Sequence, residues 1–109
     1  FGDLPPVHTV NNLAIVAWAL ANSGVDDFSA AIGNAVMAGW DTDCNGATVG
    51  GLMGLSGAEI PDHWTRPWQG RIASMLAGLG ETSVDDVVSR TLAVAQSLHS
   101  EGTRLDRDR

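Results

Sequence analysis

The sequence predicts an all-α domain of four or five helices. Apolar residues recur at spacings of three and four along most of the chain, the signature of helices with one buried face. Residues suited to capping, and glycines suited to ending a helix, bracket those stretches. No segment alternates apolar and polar residues as a half-buried strand does.

The first helix falls within Leu4 to Val25, the longest run without a formal charge. Pro5, Pro6, Asn11, Asn12 and Asn22 would be costly in lipid, so this is a buried soluble helix and not a membrane span. Leu13, Val16, Ala17 and Leu20 form its apolar stripe, and Trp18 reads as core. Thr9 or Asn11 can cap its start, and Gly24 can end it. A second helix runs from about Asp27 to Met37, with Phe28, Ala31, Ile32, Ala35 and Val36 on one face. Asp26 or Asp27 caps it, and Gly39 terminates it.

A third helix runs from about Asn45 to Ser56. Gly46, Gly50 and Gly54 recur every fourth residue in it. Glycine costs about 1 kcal/mol relative to alanine inside a helix, so this row implies another backbone packed closely, or room for a ligand. Ile60 to His63 is a turn, and Trp64 and Trp68 stand one helical turn apart and are predicted to pack together. Arg71 to Leu76 reads as a short helix broken by Gly78 and Gly80. Ser83 opens the last helix, with Asp86 three residues on and a stripe of Val84, Val87, Val88, Thr91, Leu92, Ala95 and Leu98. The folded part is thus residues 1–99, and 100–109 form a charged, aperiodic tail that is predicted to be disordered.

Composition excludes several functions. The 109 residues make one domain's worth of chain, with 13 acidic residues, 6 arginines, no lysine and a net charge of −7. Such a chain has no basic face for a nucleic-acid backbone and no polybasic segment for an anionic membrane. A single cysteine forms no internal disulfide, which agrees with a reducing, cytoplasmic setting.

Asp41-Thr42-Asp43 carries the chemistry. Two carboxylates two residues apart in a turn repel each other, and a hard divalent cation relieves that repulsion. Oxygen donors suit Mg²⁺, Mn²⁺ or Ca²⁺ better than zinc, and Cys44 has no partner cysteines at zinc-ligand spacing. The bland alternative is that Asp43 caps a helix starting near Asn45 while Asp41 is simply solvated. His8 is a turn or core residue or lines a cleft, and no Ser/His/Asp or Cys/His grouping can be built from the spacing.

The stretch Ala38-Gly39-Trp40-Asp41-Thr42-Asp43-Cys44-Asn45-Gly46-Ala47-Thr48-Val49-Gly50-Gly51-Leu52-Met53-Gly54 resembles the C-terminal metal motif of the ADP-ribosylglycohydrolase family. Its surroundings agree: His8-Thr9-Val10 before an alanine-rich helix, Asp27 to Ile32 opening a second, and Ile60-Pro61 with Trp64 after the glycine-rich one. The resemblance implies an all-α, orthogonal multi-helix bundle, of which this chain is the C-terminal part. It implies two Mg²⁺ ions (Mn²⁺ in some members) and hydrolysis of the glycosidic bond joining ADP-ribose to a protein side chain or small acceptor.

By position, Asp41 and Asp43 correspond to metal ligands, and Cys44 stands where the family often has a metal-reaching threonine. Trp40, which replaces a second glycine, and Thr42, Asn45 and Gly46 are the substrate-contact candidates. The family completes its site with an earlier acidic residue and a Thr-Asp-Asp motif. This sequence contains no Thr-Asp-Asp. The resemblance therefore implies the C-terminal third of a larger enzyme, whose N-terminal portion is a partner in the site and supplies the general base. The departures at Trp40 and Cys44 leave a second possibility, a non-catalytic helical binding or structural module that kept the fold.

Overall fold

The computed structural model describes the backbone of residues 3–107 and the side chains of residues 3–99. The chain divides into two units, Phe1–Trp64 and Thr65–Arg109. The first holds α1 (Thr9–Ala21), α2 (Phe28–Met37), α3 (Thr42–Leu55) and most of a single turn, α4 (Asp62–Thr65). The second holds a 3-10 turn (Arg66–Trp68), β1 (Arg71–Ala73), β2 (Glu81–Ser83) and α5 (Val84–Arg107). Among the described residues no helix is long and apolar enough to cross a membrane.

The all-α expectation holds, with one addition. Arg71 to Leu76 is not a helix: β1 pairs antiparallel with β2, setting Ile72 opposite Thr82. Gly70, Gly78 and Gly80 take positive φ of 70°, 82° and 51°, which lets the chain turn into and within this hairpin. The Arg71 guanidinium pairs with Glu81 on the neighbouring strand and holds that carboxyl below its ordinary range. Strands of three residues are too short to show the alternation by which a strand is read.

In the first unit, α1 is rotated relative to the stripe expected for it. Asn11, Val16 and Ala19 are buried and Leu20 is half-buried, while Leu13 is 65 % and Trp18 49 % exposed. The inward face is therefore the 11-16-19-20 stripe, which carries an amide into the interior. His8, not Thr9 or Asn11, is the N-cap, its Nδ1 accepting from Val10 N–H at 3.2 Å. The helix ends at Ala21 on an Asn22 cap, before Gly24. On α2 the expectations hold except at Val36, which is 46 % exposed. Asp27 accepts from Ala30 N–H at 2.9 Å, and Phe28, Ala31 and Ala35 face inward. Gly39 closes the helix with φ +83°, its N–H donating to Val36 C=O at 3.2 Å.

The core is built from small residues: Val16, Ala19, Ala31, Ala35, Val49 and Ala58, with Phe28 and Met53 as its larger members. Such a core demands close helices. A Cβ added at Gly46 would lie 3.3 Å from Val36 Cγ2, and one at Gly50 would lie 3.3 Å from Ile32 Cδ1. The glycine row is thus the seat of α2 against α3, the packing reading of that row. Past α3, Gly57 at φ +88° lets Gly57 N–H reach Gly54 C=O and Ala58 N–H reach Met53 C=O, a Schellman closure that tucks Ala58 inside. Trp64 lies edge-on to Phe28 with ring centroids 5.9 Å apart, and its indole N–H donates to Ser29 Oγ at 2.8 Å.

In the second unit, Ser83 Oγ accepts from Asp86 N–H at 3.1 Å and so caps α5. The Asp86 carboxylate accepts from the Thr82 hydroxyl and pairs with Arg90 one turn on. The helix continues to Arg107 instead of closing at His99. Residues 108–109 and the side chains of 100–109 lie outside the described residues, as does much of the expected tail.

Gly51 shares α3 with these glycines but has nothing within 4 Å of an added Cβ. Gly51→Ala is expected to raise stability by about 0.5–1 kcal/mol through helix propensity. Gly46→Leu is expected to lower it, because the added side chain drives into Val36. Urea unfolding followed by circular dichroism checks both signs.

Candidate functional site

The turn between α2 and α3 begins with two residues of positive φ in succession, Gly39 at +83° and Trp40 at +62°. The left-handed region costs a residue with a Cβ about 1–2 kcal/mol. Trp40 bears that cost with its side chain 39 % exposed. This conformation explains why a glycine is natural at the position.

Helix α3 starts at Thr42, three residues before the expected start at Asn45. Asn45 N–H already donates to Asp41 C=O at 2.9 Å, so the helical ladder begins at Asp41. Asp43 is therefore inside the first turn and is not the cap. Asp41 occupies the N-cap position, yet its carboxylate makes no capping bond. Both carboxylates are left to face each other and Cys44.

One ligand atom from each of Asp41, Asp43 and Cys44 can be chosen so that all lie within 4.8 Å of one another. Asp43 and Cys44 are exposed and Asp41 is half-buried. The Asp43 carboxyl is held below the ordinary aspartate range, first by a hydrogen bond shared with the Asp41 carboxyl and then by backbone amides of Asp43 and Cys44. The Cys44 thiol is pushed up, first by its hydrogen bond to Asp41 and then by the negative charge of both aspartates. The three groups stand together at the amide end of a fourteen-residue helix.

The residue that holds this turn in place is Asn12, which the motif reading passed over. Its Oδ1 accepts from Asn45 Nδ2 at 2.7 Å and from Asp41 N–H at 3.3 Å. Its Nδ2 donates to Pro6 C=O at 2.7 Å and to His8 C=O at 3.1 Å. One amide thereby ties the N-terminal segment and α1 to the start of α3. The available signal was an Asn pair within an otherwise apolar helix, four residues after a histidine cap.

The substrate-contact candidates divide into two pairs. Asn45 is 3 % exposed and is turned inward to Asn12, and Gly46 is buried against Val36. Trp40 is exposed and Thr42 half-buried. Beside the cluster runs an open groove of about 280 Å³. Asp41 and Cys44 line it together with apolar Val7, Leu13 and Val16. This explains why Leu13, although on an apolar helix, lies outside the core.

Trp40→Gly and Trp40→Ala both remove the ring, so their difference isolates the backbone. The glycine variant is expected to be more stable by about 1 kcal/mol in urea unfolding. Asn12→Ala strands the buried Asn45 amide and is expected to cost about 1–3 kcal/mol in the same assay.

The description that matches this chain is the ADP-ribosylglycohydrolase family model, aligned over residues 3–97. Neither the curated proteins nor the solved structures hold a match to the chain. The family match runs through α1, α2, α3 and the Asp-Thr-Asp turn and continues into α5, and it spans most of the sequence. The chain belongs to the ADP-ribosylglycohydrolase family.

Proposed function

We propose that this chain supplies the Asp-Thr-Asp side of a metal-dependent hydrolase centre that cleaves the glycosidic bond of ADP-ribosylated proteins or small molecules and releases ADP-ribose. The observation that carries the reading is the Asp41, Asp43 and Cys44 cluster, with its donor atoms within 4.8 Å of one another, in a chain of this family.

The two carboxylates fit a hard divalent cation, Mg²⁺ or Mn²⁺, since both are oxygen donors, they stand side by side at the start of α3, and the Asp41 carboxylate makes no capping bond. Asp41 and Asp43 would hold such ions, two of them in the complete site. A bound cation supplies an oriented water and polarises ribose oxygens. The chain's own residues do the remaining work on this side. Asn12 fixes the backbone of Asp41 and thereby the direction of its carboxylate. Trp40 and Thr42 flank the carboxylates and border the substrate, while the apolar wall of Val7, Leu13 and Val16 suits a part of the ligand without charge.

The reading assigns residues 1–99 to the C-terminal portion of the enzyme. It takes the general base and the remaining metal ligands from an N-terminal portion with a Thr-Asp-Asp motif, because this sequence holds none. An acidic chain with one cysteine suits the cytoplasm.

Calorimetric titration with Mg²⁺ and Mn²⁺ tests the metal half. Binding is expected for the unaltered chain, with at least a tenfold weakening, on the order seen when a ligand is lost, in Asp41→Ala and Asp43→Ala. Absence of binding, or binding that both variants retain, overturns the reading. The chain alone is expected to release no ADP-ribose above an EDTA-treated control, and release that EDTA abolishes would show the site to be complete without further residues.

A further inference from the structure

We infer that Asn45 is a latent deamidation site, closed while α1 is docked on α3 and opened when the Asn12 bridge to the start of α3 is released.

Asn45-Gly46 is the one Asn-Gly pair in the sequence. Such a pair is especially prone to deamidate, because glycine has no side chain to shield its amide nitrogen or restrict its backbone. Packing explains why the glycine stands there: a Cβ at position 46 would lie 3.3 Å from Val36 Cγ2. The close seat of α2 on α3 thus carries a reactive dipeptide into the interior.

The reaction needs only water and is redox-neutral. The Gly46 amide gives its proton to solvent base, and its nitrogen attacks Asn45 Cγ. The N–Cγ bond forms, the Cγ–Nδ2 bond breaks, and the departing nitrogen takes a proton from water and leaves as ammonia. Water then opens the five-membered imide to an aspartate or an isoaspartate at position 45.

The folded chain opposes each step. Asn45 is 3 % exposed and Gly46 is buried, which keeps base and water away. Both residues lie within α3, where ψ near about −42° holds the Gly46 nitrogen out of line with Cγ and the ladder occupies its N–H. The leaving group is held as well, since Asn45 Nδ2 donates to Asn12 Oδ1 at 2.7 Å. Asn12 also fixes the start of α3 through Asp41 N–H. Release of α1 therefore removes the cover, the amide bond and the support of the first turn together. The change is one-way: a carboxylate at position 45 sets an acceptor against the Asn12 acceptor inside the core.

The whole chain is aged in mildly alkaline buffer beside a capped peptide of residues 42–49. Peptide mapping by mass spectrometry locates the amide-to-acid change. Position 45 is expected to convert at least about tenfold more slowly in the chain than in the peptide, and at least about fivefold faster in Asn12→Ala than in the unaltered chain. Asn22-Ser23, exposed at the end of α1, is the ungated control, and its rate is expected to stay the same. Circular dichroism checks that Asn12→Ala is folded. If that variant is unfolded, the unaltered chain is aged in urea below its unfolding midpoint instead. Conversion at position 45 is then expected to rise in step with hydrogen exchange of the Gly46 amide. A chain that converts as fast as the peptide, a folded Asn12→Ala with an unchanged rate, or a rate that ignores urea overturns the inference.

Discussion

The Asn12 side chain spends all of its hydrogen-bonding capacity on backbone and buried amide groups. It accepts from Asp41 N–H and Asn45 Nδ2 and donates to the carbonyls of Pro6 and His8. A buried amide is tolerated only when its partners are present, so each of these groups fixes the others. The start of α3 is set by this arrangement and not by a side-chain cap, because the Asp41 carboxylate makes no capping bond. Freed from that duty, the carboxylate is available to Asp43 and Cys44. The chemistry of the turn thus depends on an amide that lies one helix away.

The second constraint is the closeness of α2 and α3. Gly46 and Gly50 give up helix propensity so that Ile32 and Val36 can seat against the backbone of α3. The interior is consequently made of alanines and valines with Met53 and one phenylalanine ring, itself packed edge-on to Trp64. Close helices also keep the α2–α3 connection short. Four residues, Ala38 to Asp41, must reverse the chain between Met37 and Thr42. Two of them do so in the left-handed region, which is where the tryptophan meets its backbone cost.

Much of this was legible in the sequence. The three long helices of the first unit, the Asp27 and Ser83 caps, the Gly39 terminator and the packing role of the glycine row follow from periodicity and capping chemistry. The family was legible from the Asp-Thr-Asp turn with its flanks. What escaped has specific causes. The stripe on α1 was misassigned because an apolar helix offers more than one apolar face, and only the buried Asn11 and the bridging Asn12 decide between them. The hairpin escaped because its strands are three residues long. The start of α3 was placed late because Asp-Thr-Asp reads as a loop until the ladder from Asn45 to Asp41 is seen. The inward turn of Asn45 and Gly46 was invisible because a motif gives neighbours along the chain and says nothing of what presses on them from α1 and α2.

The Asn12 bridge joins groups 29 and 33 residues apart in sequence. Such contacts exist only when α1 is docked on α3. On the proposed metal reading, occupancy of the cluster and integrity of the helix packing would share one thermodynamic cycle. An ion that prefers the docked arrangement stabilises it by about 2.7 kcal/mol at a hundredfold excess over its dissociation constant. The same coupling would run in reverse: anything that loosens α1 would weaken the proposed ion's hold without touching Asp41 or Asp43. If the proposed ion binds, the melting temperature of this domain would rise with the free metal around it.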